Sequence, residues 1–180
     1  MDVELSAHDK AILNCVFNPS LPLDEVAQLP QEELKDNEVL DNHEEDTKQM
    51  ELEAIRLAET GDLARGLEII NKAIEIAPAR PSLYNNRAHI YQFLRKFDAA
   101  LEDVQKAISL CSDDHKKTLC LAHCQRGVLY RRSGKLDEAK ADFEVTARMG
   151  NQFGKSQLVE LNPYAALCNQ MLKQVMDTLK

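Results

Sequence analysis

Between residues 47 and 153 the apolar positions recur every three or four residues, the period of helices that bury one face. The pattern repeats with a 34-residue length over 47–80, 81–114 and 120–153, with His115 to Leu119 inserted between the second and third units. The eighth residue of each unit is small (Ala54, Ala88, Gly127), and so is the twentieth (Gly66, Ala100, Ala139). Small residues continue at the twenty-seventh place, read as Ala73, Ala107 and Ala147. The eleventh is large (Leu57, Tyr91, Tyr130), the seventeenth apolar (Leu63, Phe97, Leu136) and the twenty-fourth bulky (Ile70, Val104, Phe143). Small residues let two backbones approach, and large ones fill the grooves beside them. Each unit therefore reads as two antiparallel helices.

The turn falls at the fifteenth position. Gly61 and Gly134 supply the left-handed residue that ends a helix. Arg95 stands there in the second unit, where a left-handed conformation costs about 1 kcal/mol. Predicted helices run over 47–59, 63–76, 81–94, 97–110, 118–132 and 136–149.

The ends of a stacked array expose apolar faces and need caps. Asn162-Pro163 pairs a capping residue with a first-turn proline, and the following stretch carries Leu167, Met171, Leu172, Val175, Met176 and Leu179 on one stripe. A capping helix is expected there, joined to the third unit by a short helix over 156–161. At the other end, Ala11, Ile12, Cys15 and Val16 share a helical face before Asn18-Pro19. The organisation is thus an acidic arm over 1–46 with a short helix, three repeats over 47–153, and capping helices over 154–180. The fold class is all-α, a solenoid of three helix pairs with a C-terminal capping helix.

Charge adds an asymmetry. The net charge is −8, made up of −11 over residues 1–46 and +3 over the rest. An acidic chain lacks the basic footprint that nucleic acid requires. No apolar run is long enough to span a membrane. Five cysteines without a secretory leader suit free thiols in a cytosolic or nuclear setting.

With these positions in place, the units resemble the tetratricopeptide repeat (TPR) family. Val16-Phe17-Asn18-Pro19 and the run Leu161-Asn162-Pro163-Tyr164-Ala165-Ala166-Leu167-Cys168-Asn169 flank the repeats. Both are similar to one small branch of that family, and the likeness then spans nearly the whole chain. The resemblance implies binding of the seventy-kilodalton heat-shock chaperone. It also implies a link to tyrosine breakdown through the stability of 4-hydroxyphenylpyruvate dioxygenase.

Many chaperone-binding TPR domains hold a partner's C-terminal carboxylate with a cationic clamp. That clamp has Lys and Asn at positions five and nine of the first repeat and Asn at position six of the second. Lys and Arg at positions two and six of the third complete it. Here those places hold Glu51, Ile55, Asn86, Leu121 and Gln125. Only Asn86 matches, and Glu51 reverses a charge, so the clamp is not expected to operate. The binding groove is expected on the first helices of the repeats, at Leu52, Ile55, Asn85, Asn86, His89, Phe93, Leu121, Gln125, Val128 and Arg132, with Ser82 alongside. Arg87, Arg126, Arg131 and Arg132 read either as a separate anion site or as solvated helix faces.

No catalytic constellation stands out, and neither an enzyme nor a cofactor is expected. Cys111, His115, Cys120, His123 and Cys124 bracket the insertion, but their spacing matches no common zinc signature, and buried thiols at i, i+4 serve a helix core equally well. The expected function is a monomeric, co-chaperone-like adaptor that binds a chaperone or stabilises a client enzyme. The alternative is an assembly scaffold in a ciliary or cytoskeletal complex.

Overall fold

The computed structural model describes residues 34–37, 42–162, 164, 167, 168 and 171. Seven helices follow one another in this part. They are α1 (Asn42–Glu59), α2 (Leu63–Ile76), α3 (Pro81–Phe93), α4 (Phe97–Leu110), α5 (Lys116–Arg132), α6 (Leu136–Arg148) and α7 (Gln152–Leu161). The pairs α1/α2, α3/α4 and α5/α6 are the three repeats. Each second helix packs on the first helix of the next repeat, so α1, α3 and α5 line one face. This is the all-α solenoid that the periodicity predicts.

The turns obey the local chemistry. Gly61 and Gly134 have φ of 90° and 79°, and Arg95 adopts φ 59° at the same place in the second repeat. Pro81 opens α3 at its first turn, and Asn151 caps α7 by accepting from the Gly154 N–H at 3.0 Å. That cap starts α7 at Gln152 rather than at residue 156. Similarly, α1 reaches back to Asn42, into the stretch read as the acidic arm.

The third repeat keeps its register but carries a polar residue at one core position. Thr146, not Ala147, occupies the twenty-seventh place of the third repeat: Thr146 is fully buried and Ala147 only partly so. The hydroxyl is tolerated because it donates to the Phe143 carbonyl at 2.9 Å. Gly127 is the eighth residue of that repeat because a Cβ there would lie 2.7 Å from the buried Phe143 ring. In the other repeats Ala54 and Ala88 face the smaller Ile70 and Val104, so the two positions trade volume.

The segment before α1 reaches the far end of the array. The Asp36 carboxylate accepts from the Lys117 N–H at 2.8 Å, the Thr118 N–H at 3.1 Å and the Thr118 hydroxyl at 2.6 Å. The Asn37 N–H donates to the Asp114 carbonyl at 2.8 Å, and Asp36 pairs with His115 as an isolated β-bridge. The helix needs this help, because His115 at its N-cap makes no side-chain capping bond. Asp36 supplies the acceptor, and its charge suits the helix N-terminus. Replacing Asp36 with Ala is expected to cost about 1 kcal/mol, read from urea unfolding. A change within error would show that the strap is unimportant.

Beyond α7, Tyr164, Leu167, Cys168 and Met171 are helical and exposed. Leu172, Val175, Met176 and Leu179 of the expected cap, and Ala11, Ile12, Cys15 and Val16 of the arm, lie outside the described residues.

Candidate protein-binding groove

The face of α1, α3 and α5 presents an apolar spine. Leu52, Phe93, Leu121 and Val128 are 63%, 53%, 42% and 36% exposed. Ile55, on α1, is half-buried. His89 stacks on Phe93 with ring centroids 4.9 Å apart. Near the turn end, His89, Gln92, Phe93, Arg95, Phe97, Val128, Leu129 and Arg132 enclose a cleft of about 380 Å³.

The three polar clamp positions are occupied from within. The Glu51 carboxylate is buried and paired with Arg80 at 3.0 Å, while Asn86 donates to its other oxygen at 2.5 Å. Arg80 also donates to Thr47 at 3.0 Å. Asn86, the one matching clamp residue, is therefore spent on this chain's own carboxylate. Gln125 accepts from Gln92 at 2.9 Å and donates to the Asn85 carbonyl at 3.2 Å, tying α5 to α3. Leu121 offers no donor. Asn85 departs from expectation: it is 3% exposed and faces the interior, and its Oδ1 has no hydrogen-bond partner among the described residues.

Three of the four candidate anion-site arginines are committed elsewhere. Arg87 binds Asp103 with Nε and Nη2, both at 2.7 Å, and reaches Asn71 at 2.9 Å. Arg126 binds Asp142 with Nε at 2.9 Å and Nη2 at 2.7 Å. Arg131 pairs with Glu160 at 2.7 Å and also donates to Gln157. The first two are intra-repeat forks at equivalent places, with Asp sixteen residues after Arg in both the second and third repeats. That recurrence was available in the sequence and identifies both arginines as structural. Only Arg132 is left without a carboxylate among the described residues; its guanidinium carbon lies 3.9 Å from the Phe97 ring centroid.

The Cys/His cluster disperses. His123 bonds Asp142 at 2.8 Å, and His115 accepts from the Ser112 N–H at 3.1 Å. Cys120 and Cys124 are buried in contact with one another. The bond from the Cys124 thiol to the Cys120 sulfur, then burial, pushes the Cys124 thiol up, and the same bond holds Cys120 down. Cys111 is partly buried, and none of the four described cysteines is in a disulfide. Among the described residues no three His, Cys, Asp or Glu side chains converge as metal ligands, and no helix is long and apolar enough to cross a membrane.

The repeats match known families. Tetratricopeptide repeat models match residues 81–114 and 122–144. The chain is 44% identical to a tetratricopeptide repeat protein 36 homolog of Drosophila melanogaster, over 99% of this chain and 98% of that one. It is also 44% identical to tetratricopeptide repeat protein 36 of Danio rerio, over 97% and 95%. Among solved structures, the first TPR of Spaghetti (RPAP3) bound to an HSP90 peptide superposes with a TM-score of 0.59 at 23% identity, covering 68% of this chain and 95% of that one. The second TPR domain of human RPAP3, in complex with an HSP70 peptide, gives 0.55 at 26% identity, covering 66% and 97%. A solenoid of this kind is a protein-interaction adaptor. The chain belongs to the tetratricopeptide repeat protein 36 family.

Proposed function

We propose that this chain is a non-catalytic, co-chaperone-like adaptor of the cytoplasm, whose groove grips a protein segment by apolar contact rather than by a terminal carboxylate. The observation that carries this reading is the exposed spine of Leu52, Phe93, Leu121 and Val128 beside Glu51 and Asn86, the clamp-position residues already bonded within the chain. Apolar contact on a curved helical face favours an extended or helical protein segment. A heat-shock chaperone of the seventy-kilodalton class is the proposed partner. The HSP70 peptide complex of a TPR domain 26% identical to this chain supports that choice. A client enzyme held in a folded state, with 4-hydroxyphenylpyruvate dioxygenase as the candidate, is the proposed beneficiary.

The test is binding of purified seventy-kilodalton chaperone to the immobilised chain and to an Ile55→Arg, Phe93→Arg variant. Two cations on the spine should abolish saturable binding while the thermal melt of the variant shows a folded chain. Undiminished binding by a folded variant would remove the groove from the interaction.

A further inference from the structure

The cleft at the turn end of the groove is chemically distinct from the rest of the spine. Its lining includes the apolar Val128 and Leu129 and the stacked His89–Phe93 pair. Its rim is cationic: Arg95 and Arg132, both exposed. No Asp or Glu lines it, although the chain as a whole carries −8. Arg132 has been left free where its neighbours have not. Arg87, Arg126 and Arg131 each meet a carboxylate at 2.7 Å, whereas Arg132 lies over the Phe97 ring at 3.9 Å and is exposed. A guanidinium resting over an aromatic ring keeps donors available for a ligand.

Resting on the adaptor reading above, we infer that this cleft is a specificity pocket for an internal protein segment in which a large apolar side chain stands next to an acidic one. The apolar side chain would enter between Phe93 and Val128, and its acidic neighbour would meet Arg132. Charge complementarity selects this occupant, because an apolar pocket with two cations and no acid at its rim favours an anion and repels a basic segment. Arg95 serves the same end. It holds the left-handed turn position that the other repeats give to glycine, and so places a cation where Gly61 and Gly134 place none.

The interaction differs from a carboxylate clamp because the acid is a side chain within the segment. On α3 the cleft's Phe93 stands seven residues, about 10 Å, beyond the clamp-position residue Asn86. An amidated segment should therefore bind as well as one with a free terminus.

The probe is acetyl-Glu-Phe-Leu-amide, with acetyl-Gln-Phe-Leu-amide as its neutral counterpart, titrated into the full ¹⁵N-labelled chain. The glutamate peptide should shift the backbone amides of Phe93, Val128 and Arg132 and bind threefold to fivefold more tightly than the glutamine peptide, the range expected of one partly solvated ion pair. The preference should vanish in Arg132→Gln and in high salt. Equal affinities of the two peptides, or shifts away from these residues, would refute the pocket. So would dilution-dependent shifts of the free chain, which assign the cleft to a second copy, or nuclear Overhauser contacts from Phe93 to residues 1–33, which assign it to the chain's own arm. The two readings fail separately. A chaperone affinity unchanged by Arg132→Gln but lost in the Ile55→Arg, Phe93→Arg variant rejects the pocket and keeps the adaptor; an affinity unchanged by both rejects the adaptor.

Discussion

Arg126→Leu is expected to lower the free energy of unfolding by about 3 to 5 kcal/mol, more than any groove substitution. Asp142 is 3% exposed, and two of its bonds come from the Arg126 fork, with His123 providing the third at 2.8 Å. Burial raises the Asp142 carboxyl, but the Arg126 and His123 bonds outweigh it and hold the group below its ordinary value. The variant leaves that carboxylate buried with one partner of ordinary strength. The leucine itself packs acceptably, so the loss is that of an uncompensated buried charge.

The pH dependence follows from the direction of the shift. In the wild type the folded-state value is depressed, so this group stabilises at pH above the ordinary carboxylate range and loses its contribution as pH falls through the folded value. In Arg126→Leu burial dominates and raises the value, so the folded variant takes up a proton more readily than the unfolded chain. Its deficit relative to wild type should shrink as the pH falls from 7 toward 4. Urea unfolding at several pH values measures both effects. A deficit below 1 kcal/mol at pH 7, or one that grows on acidification, would show that the fork does not neutralise Asp142.

Phe143→Ala should cost about 3 to 5 kcal/mol, because a fully buried aromatic ring leaves a cavity between α5 and α6. The more informative experiment adds Gly127→Ala. Alone, that change brings a methyl within 2.7 Å of the Phe143 ring and should cost about 1 to 3 kcal/mol, offset in part by better helix propensity. In the Phe143→Ala background the clash is gone, and Gly127→Ala should stabilise by up to about 1 kcal/mol. A reversal of sign across the double-mutant cycle is the signature of direct contact. Additive effects would mean that the helix relaxes around the methyl group and that the volume exchange between repeats has no energetic content.

The helix pairs were legible in the sequence because their cause is local. Small and large residues at fixed places, and Gly61 and Gly134 at the turns, act within a few residues of themselves. Arg95 was readable at the same place because position, not residue type, demands the left-handed conformation. Alanine at residue 147 misled because Thr146 can stand in the core once its hydroxyl bonds the preceding turn. The Asp36 strap was not legible, since it joins residues more than eighty apart and no periodicity marks it. Nor was the burial of Asn85, which depends on how closely α5 approaches α3 through Gln125. Among the groove residues, exposure of Leu52, Phe93, Leu121 and Val128 followed from helix register. What each polar neighbour does depended on partners that only the fold brings together. Glu51 is the clearest case. Read alone it removes a cation from the groove; in the fold it also occupies Asn86 and Arg80.

That occupation is the centre of the functional reading, and one comparison probes it most directly. An acidic chaperone-tail peptide is titrated into the chain as the free C-terminal acid and as the amide, with wild type and Asn86→Ala. A groove without a carboxylate clamp predicts the same affinity for acid and amide, unchanged by Asn86→Ala. A free acid that binds tenfold or more tightly than the amide, with the advantage lost in Asn86→Ala, would contradict it.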